Sequence, residues 1–172
     1  MPTPKVHKNY PLWIVILSNL ISLSIYALGF FIMMKLNLII AFIYLAYIFI
    51  LEYRLIKNHC INCYYWGRTC GFGKGKVSAL FFKKGDNSRF CKLNITWKDM
   101  IADFLVTLIP VVVGIILLLI HYDTILLIAI LLLMLLTTYG NNAIRGQLTC
   151  KHCRQRELGC PAEKLFNKKG PS

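Results

Sequence analysis

The sequence predicts an all-α membrane protein. It has four transmembrane helices, arranged as two parallel-repeat helical hairpins, each followed by a cytoplasmic C-x2-C-x6-C segment. Three observations predict this. The 172-residue chain is 57% hydrophobic with mean hydropathy +0.59, and its apolar residues come in long runs, unlike those of an ordinary soluble domain. The thiol pattern occurs twice, as Cys60, Cys63, Cys70 and as Cys150, Cys153, Cys160, at a constant offset of 90 residues. Of the 20 Lys and Arg, only Lys35 falls in the short turns after the first and third apolar runs.

The first span is read at about 12–34, in "LWIVILSNLISLSIYALGFFIMM", and the second at about 37–54. The third is read at about 100–120 and the fourth at about 124–140. Roughly twenty apolar residues cross the ~30 Å hydrocarbon layer, so the second and fourth runs are near the lower limit. Lys5 and Lys8 precede the first run, but it is too long for a cleaved leader and ends in no small-x-small site. It reads as a signal anchor.

Basic residues near spans stay on the cytoplasmic side. The expected localisation is therefore the cell membrane, with both termini and the middle segment cytoplasmic. The net charge of +13 then faces anionic headgroups of the lipid bilayer. Nucleic acid is the usual alternative partner for such charge, but basic inner loops are ordinary in membrane proteins.

The first repeat is placed at 1–75, with its thiol segment at 59–71. The second is placed at 100–172, with its thiol segment at 149–161. Two spans per half relate the repeats by an axis along the membrane normal. Ser18, Ser22, Ala27 and Gly29 in the first helix, and Gly114 in the third, offer small faces for close approach. Pro110 kinks the third helix unless a neighbour supplies the lost backbone partner. Asp103 is an acidic residue inside the third span, one turn from the cytoplasmic end, where Lys98 is the expected partner.

A basic amphipathic insertion, 76–99, separates the repeats. Its "KVSALFFKK" puts apolar residues between basic ends and suits the headgroup layer. The preceding "GFGKGK" has too few residues before its Gly-Lys for a P-loop, and Val77 stands where a hydroxyl is needed. A basic, glycine-bent contact with headgroups is the reading kept.

Cytosolic thiols stay reduced, so the six patterned cysteines point to metal. C-x2-C turns two sulfurs towards one ion, and thiolates suit zinc, Cu(I) and iron–sulfur clusters. The candidate ligands are Cys60, Cys63, Cys70, Cys150, Cys153 and Cys160; Cys91 reads as a spare buried or interfacial thiol. Two C-x2-C-x6-C triples resemble the fungal binuclear zinc cluster, and "CKHCRQRELGC" keeps the C-x2-C-R-x-R opening common in that family. The resemblance covers about a dozen residues per half. It implies a two-zinc geometry with shared thiolates, with Arg68, Arg154 and Arg156 offsetting the negative charge, and no DNA-binding role. The rival is a 4Fe-4S cluster on Cys60, Cys63, Cys150 and Cys153, since "GCPA" at Cys160 is similar to the Cys-Pro that closes ferredoxin motifs. A third arrangement gives each half three thiolates and one imidazole, from His59 or His152.

The expected function is non-enzymatic: a multi-pass membrane protein whose cysteine-rich site holds structural zinc and which serves as scaffold, subunit or sensor for a protein partner or oligomer. A membrane redox protein with an iron–sulfur cluster is the alternative, and a metal or small-molecule transporter the third. No nucleophile–base or carboxylate pair stands out for catalysis. The thiol segments are expected to have little core of their own and to order only around metal.

Overall fold

The computed structural model describes residues 6–92 and 97–161. Helix α1 (Leu12–Leu36) turns through Asn37 into α2 (Leu38–Asn58), which ends in a 3-10 turn, Cys60–Asn62. Two short helices follow, α3 (Lys74–Phe81) and α4 (Asn87–Lys92), then α5 (Trp97–Ile120) and α6 (Thr124–Leu135). α6 runs on as a π-helix (Leu136–Thr149), a 3-10 turn (Cys150–His152) and α7 (Arg154–Gly159). Four helices are long and apolar enough to cross a membrane: Leu12–Leu36, Leu38–Asn62, Met100–Ile120 and Thr124–His152.

α1, α2 and α6 start where the apolar runs start, α5 starts three residues earlier at Trp97, and two of the helices outlast the runs. α2 continues past Glu52 and Arg54 to Asn58, beyond the expected end near 54. The fourth helix continues past 140 through polar "GNNAIRGQLT". Before that stretch the Thr137 and Thr138 hydroxyls donate back to the carbonyls of Leu133 and Met134, each at 2.8 Å. Such back-bonding loosens the regular ladder, and the helix widens there.

α1 lies at the centre, packed on α2, α5, α6 and the π-helix. Its buried residues Ile14, Ser18, Ile21, Ile25, Gly29 and Ile32 recur every three or four positions, as one helix face requires. Ile21, Ile25 and Ile32 pack with Leu126, Ala129, Ile130 and Leu133 of α6. Met33 packs with Ala41, Tyr44 and Ile48 of α2 and Val106 of α5. Lipid chains are as apolar as these side chains, so close packing and interhelical hydrogen bonds hold the bundle.

Pro110 shows how. Without an N–H it leaves the Val106 carbonyl, one turn earlier, unpaired inside α5. The Tyr44 hydroxyl from α2 donates to that carbonyl at 2.8 Å. Tyr44 reaches it only because Gly29 stands opposite, where a Cβ would lie 2.2 Å from the hydroxyl. Ala27 of the expected small face is exposed, whereas Ser18 and Gly29 are buried and Ser22 is half-buried.

The two tight turns meet at one end of the bundle. Asn37 caps α2 by accepting from the Ile39 N–H, and Asp123 caps α6 by accepting from that of Ile125. Lys35 joins Asp123 across the turns at 3.0 Å. This pairing and the cap hold the Asp123 carboxyl below its usual range. The expected insertion forms α3 and α4, with residues 93–96 and the Lys98 side chain outside the described residues. Leu80 and Phe81 at the end of α3 are 80% and 75% exposed.

Candidate functional site

The two C-x2-C stretches fold alike. In each the second cysteine's N–H bonds the first one's carbonyl at 3.3 Å, for Cys60 and Cys63 and for Cys150 and Cys153. Each second cysteine is extended, and its carbonyl accepts from the residue three further on, Trp66 or Arg156, at 3.1 Å. This geometry aims backbone donors at sulfur. The Tyr65 N–H faces the Cys63 sulfur, and those of Gln155 and Arg156 face Cys153. The Gly75 N–H reaches the Cys70 sulfur at 3.3 Å.

A seam joins the two stretches. The Tyr65 hydroxyl donates to the His7 carbonyl at 2.5 Å and accepts from the Arg154 N–H at 2.9 Å. The Tyr64 N–H donates to Gln155 Oε1 at 2.7 Å. The chain before α1 threads between them: the Tyr10 N–H bonds the Thr69 carbonyl at 2.9 Å, and the His7 N–H bonds that of His152 at 3.1 Å. The Tyr10 hydroxyl donates to the Thr149 carbonyl at 2.6 Å.

Tyr10, Ile14 and Tyr65 are buried there as a small core, with Cys63, Cys70 and Cys153 packed against it. The expectation that the thiol segments lack a core is therefore corrected. Two tyrosine rings 5.6 Å apart supply the burial that the segments' own polar residues do not.

Burial pushes the Cys63 thiol up to about 12, against the opposing Tyr65 N–H, with Cys153, Cys70 and Cys60 adding to the rise. Burial likewise raises Cys153, and Cys160 and Cys70 act on it in the same direction. Mutual influence thus runs across the seam. Cys60 lies near Cys70, and Cys150 near Cys153 and Cys160. Among the described residues, no three Cys, His, Asp or Glu side chains stand close enough together to hold a metal ion.

The surroundings differ from expectation in detail. The Arg68 guanidinium lies over the Tyr64 ring at 4.6 Å, and Arg154 pairs with Glu157. The cations beside Cys150 are Arg145 and Arg156. The His59 ring meets Phe90 edge-on at 6.4 Å, and the His152 ring is 5.6 Å from that of His7. Cys91 sits against the second thiol segment, its sulfur donating to the Leu158 carbonyl at 3.1 Å. His7, Tyr10 and Tyr65 were not legible as site residues, since no spacing marks a contact made across most of the chain.

A second polar group lies beside the first, between α1, α2 and α3. Glu52 accepts from the Tyr26 hydroxyl at 2.6 Å and pairs with Lys74. Arg145 donates to the Ser22 hydroxyl at 2.5 Å, lies 5.3 Å from the Phe72 ring, and acts electrostatically on Glu52. Arg54 and His59 stand near Asp103. Lys74 is thus drawn into an ion pair, and the glycines of "GFGKGK" serve tight packing. Gly75, for one, has no room for a Cβ, which would fall 2.2 Å from the Tyr65 carbonyl oxygen.

Four helices able to cross a membrane, with two thiol turns docked together at one end, define an α-helical multi-span architecture. The chain matches no family model, no curated protein and no solved structure.

Proposed function

We propose that this is a multi-pass protein of the cell membrane, with both termini cytoplasmic. Its two hairpins are parallel repeats, and their thiol segments together hold structural zinc. The site clamps the repeats at the cytoplasmic face and makes the protein a scaffold, subunit or sensor for a protein partner. One observation carries the reading. Two C-x2-C turns of the same backbone geometry, each with backbone N–H groups facing its second sulfur, are docked on one seam. Such donors oppose the rise that burial imposes on the two thiols, and thiolate is what a metal binds.

The ligands are Cys60, Cys63, Cys70, Cys150, Cys153 and Cys160. Zinc would hold their sulfurs at about 2.3 Å. Arg145 and Arg156 beside Cys150 offset the negative charge of the thiolates. The net charge of +13, nearly all of it away from the Lys35 turn, supports the orientation.

Anaerobic purification of the whole chain in detergent, followed by elemental analysis and a visible spectrum, tests this. Colourless protein with bound zinc is expected, lost from the Cys63→Ser and Cys153→Ser variants. Removing either should loosen 59–71 and 149–161 to protease, and the double variant should do little more damage than either single one. Brown, iron-containing protein would favour the redox reading. Metal-free protein with unchanged protease resistance in the double variant overturns both.

A further inference from the structure

Helix α3 has two unlike faces. Gly75 and Ser78 are buried inward, and Gly75 packs so closely under the Tyr65 carbonyl that no Cβ fits. The Gly67 N–H donates to the Gly75 carbonyl at 2.9 Å, and the Trp66 indole N–H donates to the Phe82 carbonyl at 3.3 Å. The first thiol segment thus holds α3 near both of its ends.

The outer face is apolar and open. Val77, Leu80 and Phe81 stand at i, i+3 and i+4, on one side of the helix, and all three are exposed. Nothing among the described residues covers them. Lys76 precedes this patch and Lys83 and Lys84 follow it, all exposed. The ion pairs among the described residues join Lys35, Lys74 and Arg154 to their carboxylates and leave these three lysines out.

What meets the patch follows from where the helix sits. The Phe82 ring, just past the end of α3, lies 5.9 Å from the Tyr53 ring on α2. Counting along α2 from Leu38, Tyr53 lies roughly 22 Å from the turn at Asn37. The Lys35–Asp123 pair at that turn marks one edge of the apolar zone. Tyr53 is therefore within the far third of a ~30 Å hydrocarbon layer. It is exposed, and the Lys57 ammonium lies 5.7 Å from its ring centre, the pairing of aromatic and cation that a membrane boundary favours. The tip of α3 flanks a span at the depth where acyl chains meet headgroups.

We infer that α3 is an interfacial anchor, with Val77, Leu80 and Phe81 immersed among the upper acyl chains of the cytoplasmic leaflet and Lys76, Lys83 and Lys84 at the headgroup phosphates. The partner is the phospholipid bilayer itself, not a single bound lipid. Apolar residues on one side of a helix, with lysines at its edges, suit that position. The inference rests on the membrane reading above and adds to it a second contact with the leaflet. Through its inner face, α3 holds the first thiol segment against the membrane surface.

The test uses the full-length protein in phospholipid nanodiscs, with para-fluorophenylalanine in place of Phe81. A second sample carries the same probe in place of Phe49, which is exposed midway along α2 and serves as the reference inside the layer. Lipids spin-labelled high on the acyl chain should broaden the fluorine resonance at position 81 severalfold more than a water-soluble gadolinium chelate does. Val77→Asp with Leu80→Asp puts two charges on the open face without touching the packed one, and should reverse that ratio at position 81 while leaving position 49 unchanged. Stronger broadening by gadolinium at position 81 alone overturns the inference. So does an unchanged ratio in the double variant. Broadening by neither reagent would mark a patch covered by protein and overturns it equally. Stronger gadolinium broadening at position 49 as well would overturn the membrane reading itself, and the anchor with it.

Discussion

Replacing Tyr65 with Phe removes one hydroxyl and keeps the ring. That hydroxyl is the shared partner of the His7 carbonyl and the Arg154 N–H, at 2.5 and 2.9 Å, in the seam between the thiol stretches. A polar backbone group left buried and unpaired costs about 1–3 kcal/mol. Arg154 is exposed and His7 only half-buried, so water re-satisfies part of the loss. The seam should then lose about 2 kcal/mol, a roughly 30-fold increase in its opened population. The ring still fills the core beside Tyr10 and Ile14, so the change stays local. Hydrogen–deuterium exchange on metal-free protein reads it directly. Amides in 60–70 and 150–158 should exchange about 30-fold faster, while those of α1 and α6 stay as in the wild type. Unchanged exchange at Arg154 would refute the seam as a structural joint. Faster exchange throughout α1 would refute its local character.

Two further predictions concern the bundle. Tyr44→Phe strips the Val106 carbonyl of its donor, and Gly29→Ala displaces the same hydroxyl; each should lower stability by about 1–2 kcal/mol in a detergent melt, with the double variant clearly less than additive because both act through one hydrogen bond. The Lys35–Asp123 clasp should show its sign with pH: because pairing depresses the Asp123 carboxyl, its contribution is fully present above the unfolded value of about 4 and is lost as pH falls through the lower folded value. Melts between pH 6 and 3 should therefore lose a small increment, which is absent from Asp123→Asn and screened by salt.

The membrane helices were legible because an apolar run of bilayer length has few other uses, and helices begin at Leu12 and Thr124 where the runs begin. Where they end was not legible. α2 passes through Glu52 because Lys74, from the later chain, neutralises it and Tyr26 on α1 hydrogen-bonds it. The fourth helix passes through Arg145 because Ser22 on α1 and Phe72 after the first thiols receive the guanidinium. Both extensions rest on partners distant in sequence, which local hydropathy does not register. The thiol pattern itself was fully visible, since spacing along the chain is what makes a C-x2-C turn. The frame that docks one turn on the other was invisible, because His7 and Tyr10 lie in a tail that composition marks only as basic.

The segment "GFGKGK" belongs to both polar sites, and its sequence shows why it must be glycine-rich. Gly73 has φ +73°, a left-handed conformation that lets the chain reverse into α3 directly after Cys70. Gly75 packs under the Tyr65 and Arg68 carbonyls while its own N–H reaches the Cys70 sulfur. Between them Lys74 extends away to Glu52, and just before them Phe72 lies against Arg145. Cys70 and Lys74 are therefore joined by one tight turn, closed by the Gly73 N–H on the Cys70 carbonyl at 3.0 Å. A change at the Cys70 sulfur is felt first at the Gly75 N–H that reaches it, and Gly75 is covalently next to Lys74.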